Sequence, residues 1–390
     1  MSMSTTYNRY SPAIILVLLA SLVTVSWLLV IDRAQQQLSV SGSSDVDFKT
    51  LSGNDFSSQK HFEWKLVTSW PKNLPGLGTA PENFAKVVNA MSDGRLTVKV
   101  YGGGELVPAL EVFSAVSQGT AEMGHAAAYY WKGKIPSSPF FTAVPFGLTA
   151  QEMNGWLHYG GGLELWREVY APFDLIPFAG GNTGVQMAGW FNREINDVSD
   201  LEGLKMRIPG VGGEVFSRAG GTSVTLPGSE IYTSLQTGVI DATEWVAPYN
   251  DMALGLHEVA SYYYYPGWHE PGPTLELVVN KTAFESLPAD LQKIVEIAAR
   301  YANQDMLDEY TARNNASYTD LLDNHKDVQV RRLPDDVLRA FHKASTEYLE
   351  ELAAEDEMAA KVYKSWKAYA DGVKNYHHIS EQSYINARDL

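Results

Sequence analysis

Apolar and polar positions alternate along HFEWKLVTSW (residues 61–70) and again along LTVKVY (Leu96–Tyr101), the period-two pattern of a half-buried strand. Between them, PENFAKVVNA (Pro81–Ala90) carries apolar residues at helical spacing, with proline at the position a helix start tolerates. Asp93 and Gly94 mark the turn that follows. Strand, helix, strand in that order predicts an α/β lobe with a mainly parallel sheet. Further on, residues 288–320 and 334–371 keep the helical period, opened by Pro288 and Pro334. Leu291, Ile294, Val295 and Ala298 form one apolar stripe, and Leu338, Phe341, Tyr348 and Leu352 another. Helices this rich in charge wrap the lobes or pair with another subunit. Packing on their own chain is the plainer expectation.

Two distant segments echo each other. EVFSAVSQGTAE (residues 111–122) and EIYTSLQTGVID (residues 230–241) both open with Glu, an apolar residue and an aromatic. In each, a glycine (Gly119, Gly238) follows where a helix would end in the left-handed conformation that glycine adopts at little cost. An acidic residue (Glu122, Asp241) comes three positions later. The expectation is one supersecondary unit used once in each of two lobes, against the plainer alternative of two ordinary capped helices.

The N-terminus changes the picture differently. Pro12–Ile31 is an unbroken apolar run preceded by Arg9, about the length of a bilayer-spanning helix. It predicts an export signal or a retained anchor over residues 1–33, with residues 34–60 as a flexible tether. Hydrophobic residues make up 45 % of the 390 and charged residues 19 %, as in a globular protein. The formal net charge of −16 argues against a nucleic-acid partner, whose phosphates it would repel. With no cysteine, disulfides, thiol catalysis, zinc–thiolate sites and a cysteine-linked lipid anchor are excluded.

Chemistry concentrates between residues 183 and 272. In KMRIPG, Arg207 sits inside an apolar strand-like segment closed by Pro209 and Gly210. An arginine there needs a partner. A ligand carboxylate held by two parallel hydrogen bonds is one candidate, and an internal ion pair with Asp or Glu is the other. In TGVQMAGWF, the Gln186 amide offers both a donor and an acceptor, or is a satisfied structural residue. Glu244, beside Trp245, and Glu270, in Trp268-His269-Glu270-Pro271-Gly272, each end an apolar segment next to an aromatic. Two such carboxylates can share one hard cation or serve as an acid/base pair, and spacing does not separate these roles. Gly102–Gly104 lacks the Lys-Ser/Thr of a phosphate loop, and the nine histidines show no zinc spacing. Trp70, Tyr129, Tyr130 and Trp131 line a cleft or fill a core, and Tyr262–Tyr265 reads as packing.

From about Phe62 to the C-terminus, the chain resembles the extracytoplasmic solute-binding subunits of tripartite ATP-independent periplasmic (TRAP) transporters. The motifs TSWPKNLPGLGTAPENFA, VPALEVFSAVSQGTAEMGHAAAYYW, GNTGVQMAGWF, GLKMRIPG, SLQTGVIDATEWV and GWHEPG carry it. The nearest likeness is to the subgroup that binds 2-oxo acids such as pyruvate together with a cation. A related branch binds lactate with calcium. The resemblance implies an α/β periplasmic binding-protein fold, class II-like, with long C-terminal helices. It divides the chain into a first lobe over 61–184 with a return at 276–300, a second lobe over 185–275, and helices over 301–390 that can exchange in a homodimer. It gives Arg207 the grip on the ligand carboxylate and Gln186 contact with both ligand and cation. It makes Glu244, Trp245 (through its backbone oxygen) and Glu270 ligands of a sodium or calcium ion. The partners it implies are a small organic acid and the transporter's membrane subunits, in the periplasm, without catalysis. A periplasmic hydrolase using Glu244 and Glu270 and a membrane-anchored sensing ectodomain are the competing expectations.

Overall fold

The computed structural model describes residues 60–388 and Leu390. The apolar run Pro12–Ile31 and residues 34–59 of its tether lie outside the described residues; among those described, no helix is long and apolar enough to cross a membrane. Among the described residues eleven strands follow one another: β1 (Phe62–Thr68), β2 (Leu96–Tyr101), β3 (Met123–Ala126), β4 (Leu175–Asn182), β5 (Gly189–Phe191), β6 (Lys205–Arg207), β7 (Thr222–Val224), β8 (Ala242–Thr243), β9 (Tyr262–Tyr265), β10 (Thr274–Asn280) and β11 (Gln329–Arg332).

They form two sheets, ordered β2-β1-β3-β10-β4 and β11-β9-β5-β8-β6-β7. Each sheet contains a parallel triplet, β2-β1-β3 in one and β7-β6-β8 in the other. Beyond each triplet an antiparallel strand follows, β10 beside β3 and β5 beside β8. The two echoing segments occupy matching places in this scheme. Helices Val112–Ser117 and Gly228–Gln236 end before Gly119 (φ 73°) and Gly238 (φ 72°), both left-handed. Glu122 then accepts the backbone N–H of Lys65 at 2.7 Å, and Asp241 that of Lys205 at 2.9 Å. Each acid so pins the chain of a central parallel strand.

The chain crosses between the sheets twice in the vicinity of the candidate residues, from β4 to β5 through residues 183–188 and from β9 to β10 through residues 266–273. The two crossings lie backbone to backbone. A Cβ on Gly267 would come within 2.1 Å of the Gln186 carbonyl oxygen, so only glycine fits there. The helix Ala289–Asn324 packs on β4, on helix Ala80–Met91 and on helix Pro248–Ala253, and so braces elements next to both sheets.

Two features depart from the expected run of C-terminal helices. β11 joins the second sheet by parallel pairing with β9; its four residues, QVRR, carry no apolar alternation to announce a strand. The helical pattern over 334–371 divides at Asp356, which leaves helical geometry and caps the next helix by accepting from Ala359 N–H at 2.6 Å. The helices Asp335–Glu355 and Glu357–Ile379 lay Phe341, Leu349, Val362 and Trp366 against the main core. Trp268, from the second crossing, stacks on Phe341 at 4.1 Å.

Candidate functional site

Arg207 is the last residue of β6. Pro209 and Gly210 (φ 67°) then turn the chain into helix Gly210–Arg218. Glu244 and Trp245 follow directly on β8, whose Thr243 is in register with Arg207. The parallel pairing of β6 and β8 therefore brings Arg207 and Glu244 together. Gln186 comes from the first crossing and Glu270 from the second, tied by the Gln186 N–H donating to the Glu270 carbonyl at 3.2 Å.

Arg207 is 1 % exposed. Its Nη1 donates to a Glu244 carboxylate oxygen and to the Glu244 carbonyl at 3.3 Å. Its Nε donates to the Leu226 carbonyl at 3.2 Å and its Nη2 to the Tyr130 hydroxyl at 3.3 Å. The guanidinium also lies 5.1 Å over the Trp245 ring. Burial works against the Arg207 charge, yet Glu244 holds its pKa above the ordinary value. Of the two partners left open for Arg207, the internal acidic one is therefore present.

Glu270 sits across from this pair. Gln186 Nε2 donates to Glu270 Oε2 at 2.8 Å and Thr183 Oγ1 lies 3.3 Å from the same nitrogen. Burial first, then the charge of Glu244, push the Glu270 carboxyl well above the ordinary carboxylate range, against Arg207 and hydrogen bonds from Tyr129 and Gln186. Four of the candidate residues, Gln186, Arg207, Trp245 and Glu270, line one cavity together with Trp70, Tyr129, Tyr130 and Thr183. Glu244, paired with Arg207, is not among its lining residues. The cavity measures about 10 Å³, room for roughly one water.

Several buried polar atoms here have no hydrogen-bond partner: Gln186 Oε1, Glu244 Oε2 and both ring nitrogens of His269. His269 Nε2 is 3.4 Å from Glu244 Oε2 but not aligned with it as a hydrogen bond. Polar groups in such interiors are paired, and a cluster of unpaired ones at one place marks a candidate binding site.

The family model for bacterial extracellular solute-binding protein, family 7 (DctP), matches residues 66–356. The chain belongs to this family. A monocarboxylate 2-oxoacid-binding periplasmic protein of Nostoc sp. is 46 % identical over 323 residues, covering 83 % of this chain and 88 % of that one. The crystal structure of a TRAP periplasmic solute-binding protein from Pseudoalteromonas atlantica, with bound sodium and pyruvate, superposes with a TM-score of 0.82 at 45 % identity. It covers 84 % of this chain and 99 % of that one. One from Colwellia psychrerythraea, with bound calcium and pyruvate, gives 0.82 at 44 %, covering 84 % and 100 %.

As a family member the chain is an extracellular solute-binding protein of two α/β lobes. Its donor set suits a hard cation. Glu244, His269 and Glu270 each bring a ligand atom within 4.8 Å of the others, and the unpartnered Gln186 and Glu244 oxygens lie in the same neighbourhood. His269 is the residue that sequence reasoning passed over, although it lies between Trp268 and Glu270 in a motif already singled out. Nothing in a single imidazole's spacing indicates that it faces Glu244. Of the aromatic candidates, Trp70, Tyr129 and Tyr130 line the cavity, whereas Trp131 turns away to donate to Glu276 at 2.6 Å.

Proposed function

We propose that this chain captures a small 2-oxo monocarboxylate of the pyruvate type together with a sodium or calcium ion in the periplasm, and delivers it to the membrane subunits of a TRAP transporter. One observation carries the reading: a fully buried arginine at a strand end faces a cavity whose opposite wall holds Glu270 and an unpartnered Gln186 oxygen. Arg207 grips the ligand carboxylate, with two parallel N–H groups once one of its present partners gives way. Gln186, Glu244, the Trp245 carbonyl and Glu270 supply oxygens to the cation, and the ligand's 2-oxo oxygen completes the bridge. The cation supplies positive charge that offsets the ligand beside two glutamates. The site binds without turnover, since an acid held at both its carboxylate and its oxo oxygen presents no bond to hydrolyse. The pyruvate-bound neighbours support the ligand class.

The lobes are taken as 61–184 with the return at 276–300, and 185–275. The apolar run Pro12–Ile31 serves as export signal or anchor. Exposed Tyr376, Ile379, Tyr384 and Ile385 on the last two helices favour a homodimer, which light scattering on the purified protein tests.

Calorimetry of pyruvate, 2-oxobutyrate and lactate, each with sodium or with calcium, decides the main question. Micromolar or tighter binding of a 2-oxo acid with one cation is expected. Absence of binding to every acid under both cation conditions would overturn the function.

A further inference from the structure

All but one of the Arg207 N–H groups are already committed: Nε to Leu226, Nη1 to the carboxylate and carbonyl of Glu244, and Nη2 by one hydrogen to Tyr130. A bidentate grip on a ligand carboxylate needs N–H groups from two different nitrogens. Leu226 holds Nε with a backbone carbonyl that cannot swing aside. Glu244 holds Nη1 with a side chain that can. We propose that Glu244 is the specificity-determining residue of the site: it occupies Arg207 as an internal stand-in for the ligand, so that an acid enters only when a cation takes up the carboxylate it displaces. The proposal rests on the acid–cation reading above.

The physical sequence follows from the contacts. Once displaced, Glu244 is a buried carboxylate without its partner, beside Glu270, which is a state that proteins do not tolerate unaided. Its other oxygen, Oε2, has no hydrogen bond and lies with the His269 and Glu270 donors. A cation held there recovers the displaced charge. An acid with an oxygen on its second carbon binds that cation as well and ties the two events together. A plain carboxylic acid can replace Glu244 on Arg207 but adds no second oxygen to the cation, so it competes poorly with a carboxylate that is always at hand.

The test compares wild type with Glu244→Gln by calorimetry, using pyruvate and propionate, in sodium- and calcium-free buffer and then with calcium. Wild type is expected to bind pyruvate only with the cation and to reject propionate. Glu244→Gln is expected to bind pyruvate measurably without cation, about tenfold or more tighter than the upper limit set for cation-free wild type, and to discriminate less between the two acids. No gain in cation-free binding by Glu244→Gln, with wild type still binding pyruvate plus calcium, overturns the exchange while leaving the proposed function standing. No binding by wild type in any condition overturns both. A crystal structure of the wild type with pyruvate and calcium gives an answer that does not depend on the variant's folding. Glu244 is expected to have left Arg207 there, and an intact Arg207–Glu244 contact beside bound acid overturns the proposal.

Discussion

The unit β1–β3 of the first sheet and the unit β6–β8 of the second share strand order, helix-ending glycine and pinning acid. Aligned on Glu122 and Asp241, Val67 stands where Arg207 stands and His125 where Glu244 stands. The charged pair of one unit is thus a neutral one in the other. His125 is fully buried, and burial pushes its pKa down to about 4 against the hydrogen bond to Gly180. Its Nδ1 accepts from Trp70 Nε1 at 2.7 Å, so the proton is on Nε2, 3.1 Å from the Gly180 carbonyl. Trp70 in turn meets Trp245 edge-on at 6.1 Å. One unit builds a neutral aromatic wall and the other a charged one on the same backbone plan. Side chains at two matched strand ends, not the topology, separate scaffold from recognition.

Exchanging or trimming the matched positions breaks this comparison in a graded way. Arg207→Met leaves Glu244 buried and unpaired and is expected to cost about 3–5 kcal/mol, with ligand-induced stabilisation abolished. Val67→Ala, at the matched position, costs about 2 kcal/mol as a buried trimming and keeps that stabilisation. Urea unfolding with and without pyruvate and calcium reads both, and retained ligand stabilisation in Arg207→Met would sink the distinction.

Next comes Glu276, beside β3 in the first sheet, whose carboxyl burial pushes from 4.5 up to about 7, against hydrogen bonds from Trp131 and Tyr170. The folded state holds a proton that the unfolded chain has released. This contribution to stability is complete below about pH 4.5 and is lost as pH rises through about 7. Glu276→Gln should flatten that fall by up to about 3 kcal/mol between about pH 4.5 and 7, as measured by unfolding at each pH. An unchanged slope would count against a proton on Glu276. His125 acts with the opposite sign: its contribution is complete above about 6.5 and lost as pH falls towards about 4.

Trp70→Phe deprives His125 Nδ1 of its donor and should cost about 2 kcal/mol, weakening ligand binding through the displaced wall. Smallest and most even are Gly119→Ala and Gly238→Ala. A Cβ at either meets nothing within 4 Å, so only the left-handed backbone is penalised, by about 1 kcal/mol in each. Unequal costs would show that the two turns are not equivalent.

Much of this was legible in the chain. The repeat could be read because a left-handed turn demands glycine and because the pinning acid follows it at fixed spacing. Arg207, Gln186, Glu244 and Glu270 stood out as polar residues in apolar segments punctuated by Gly, Pro or Trp. Their mutual geometry was not legible. That Arg207 meets Glu244 depends on the register of β6 with β8, and that Gln186 meets Glu270 depends on two crossings separated by 84 positions in the chain. β11 escaped notice because its pairing with β9, not its own pattern, makes it a strand. The break at Asp356 was hidden inside a continuous helical period, since one capping aspartate in a charged helix looks like any other.

The place of β10 in the first sheet has a consequence for how the molecule is assembled. It lies between β3 and β4, yet is made after the whole of the second sheet's first five strands. Any nascent or truncated chain ending before Thr274 therefore leaves β3 and β4 with bare facing edges, and the earlier-synthesised half can be finished only after the later one has emerged.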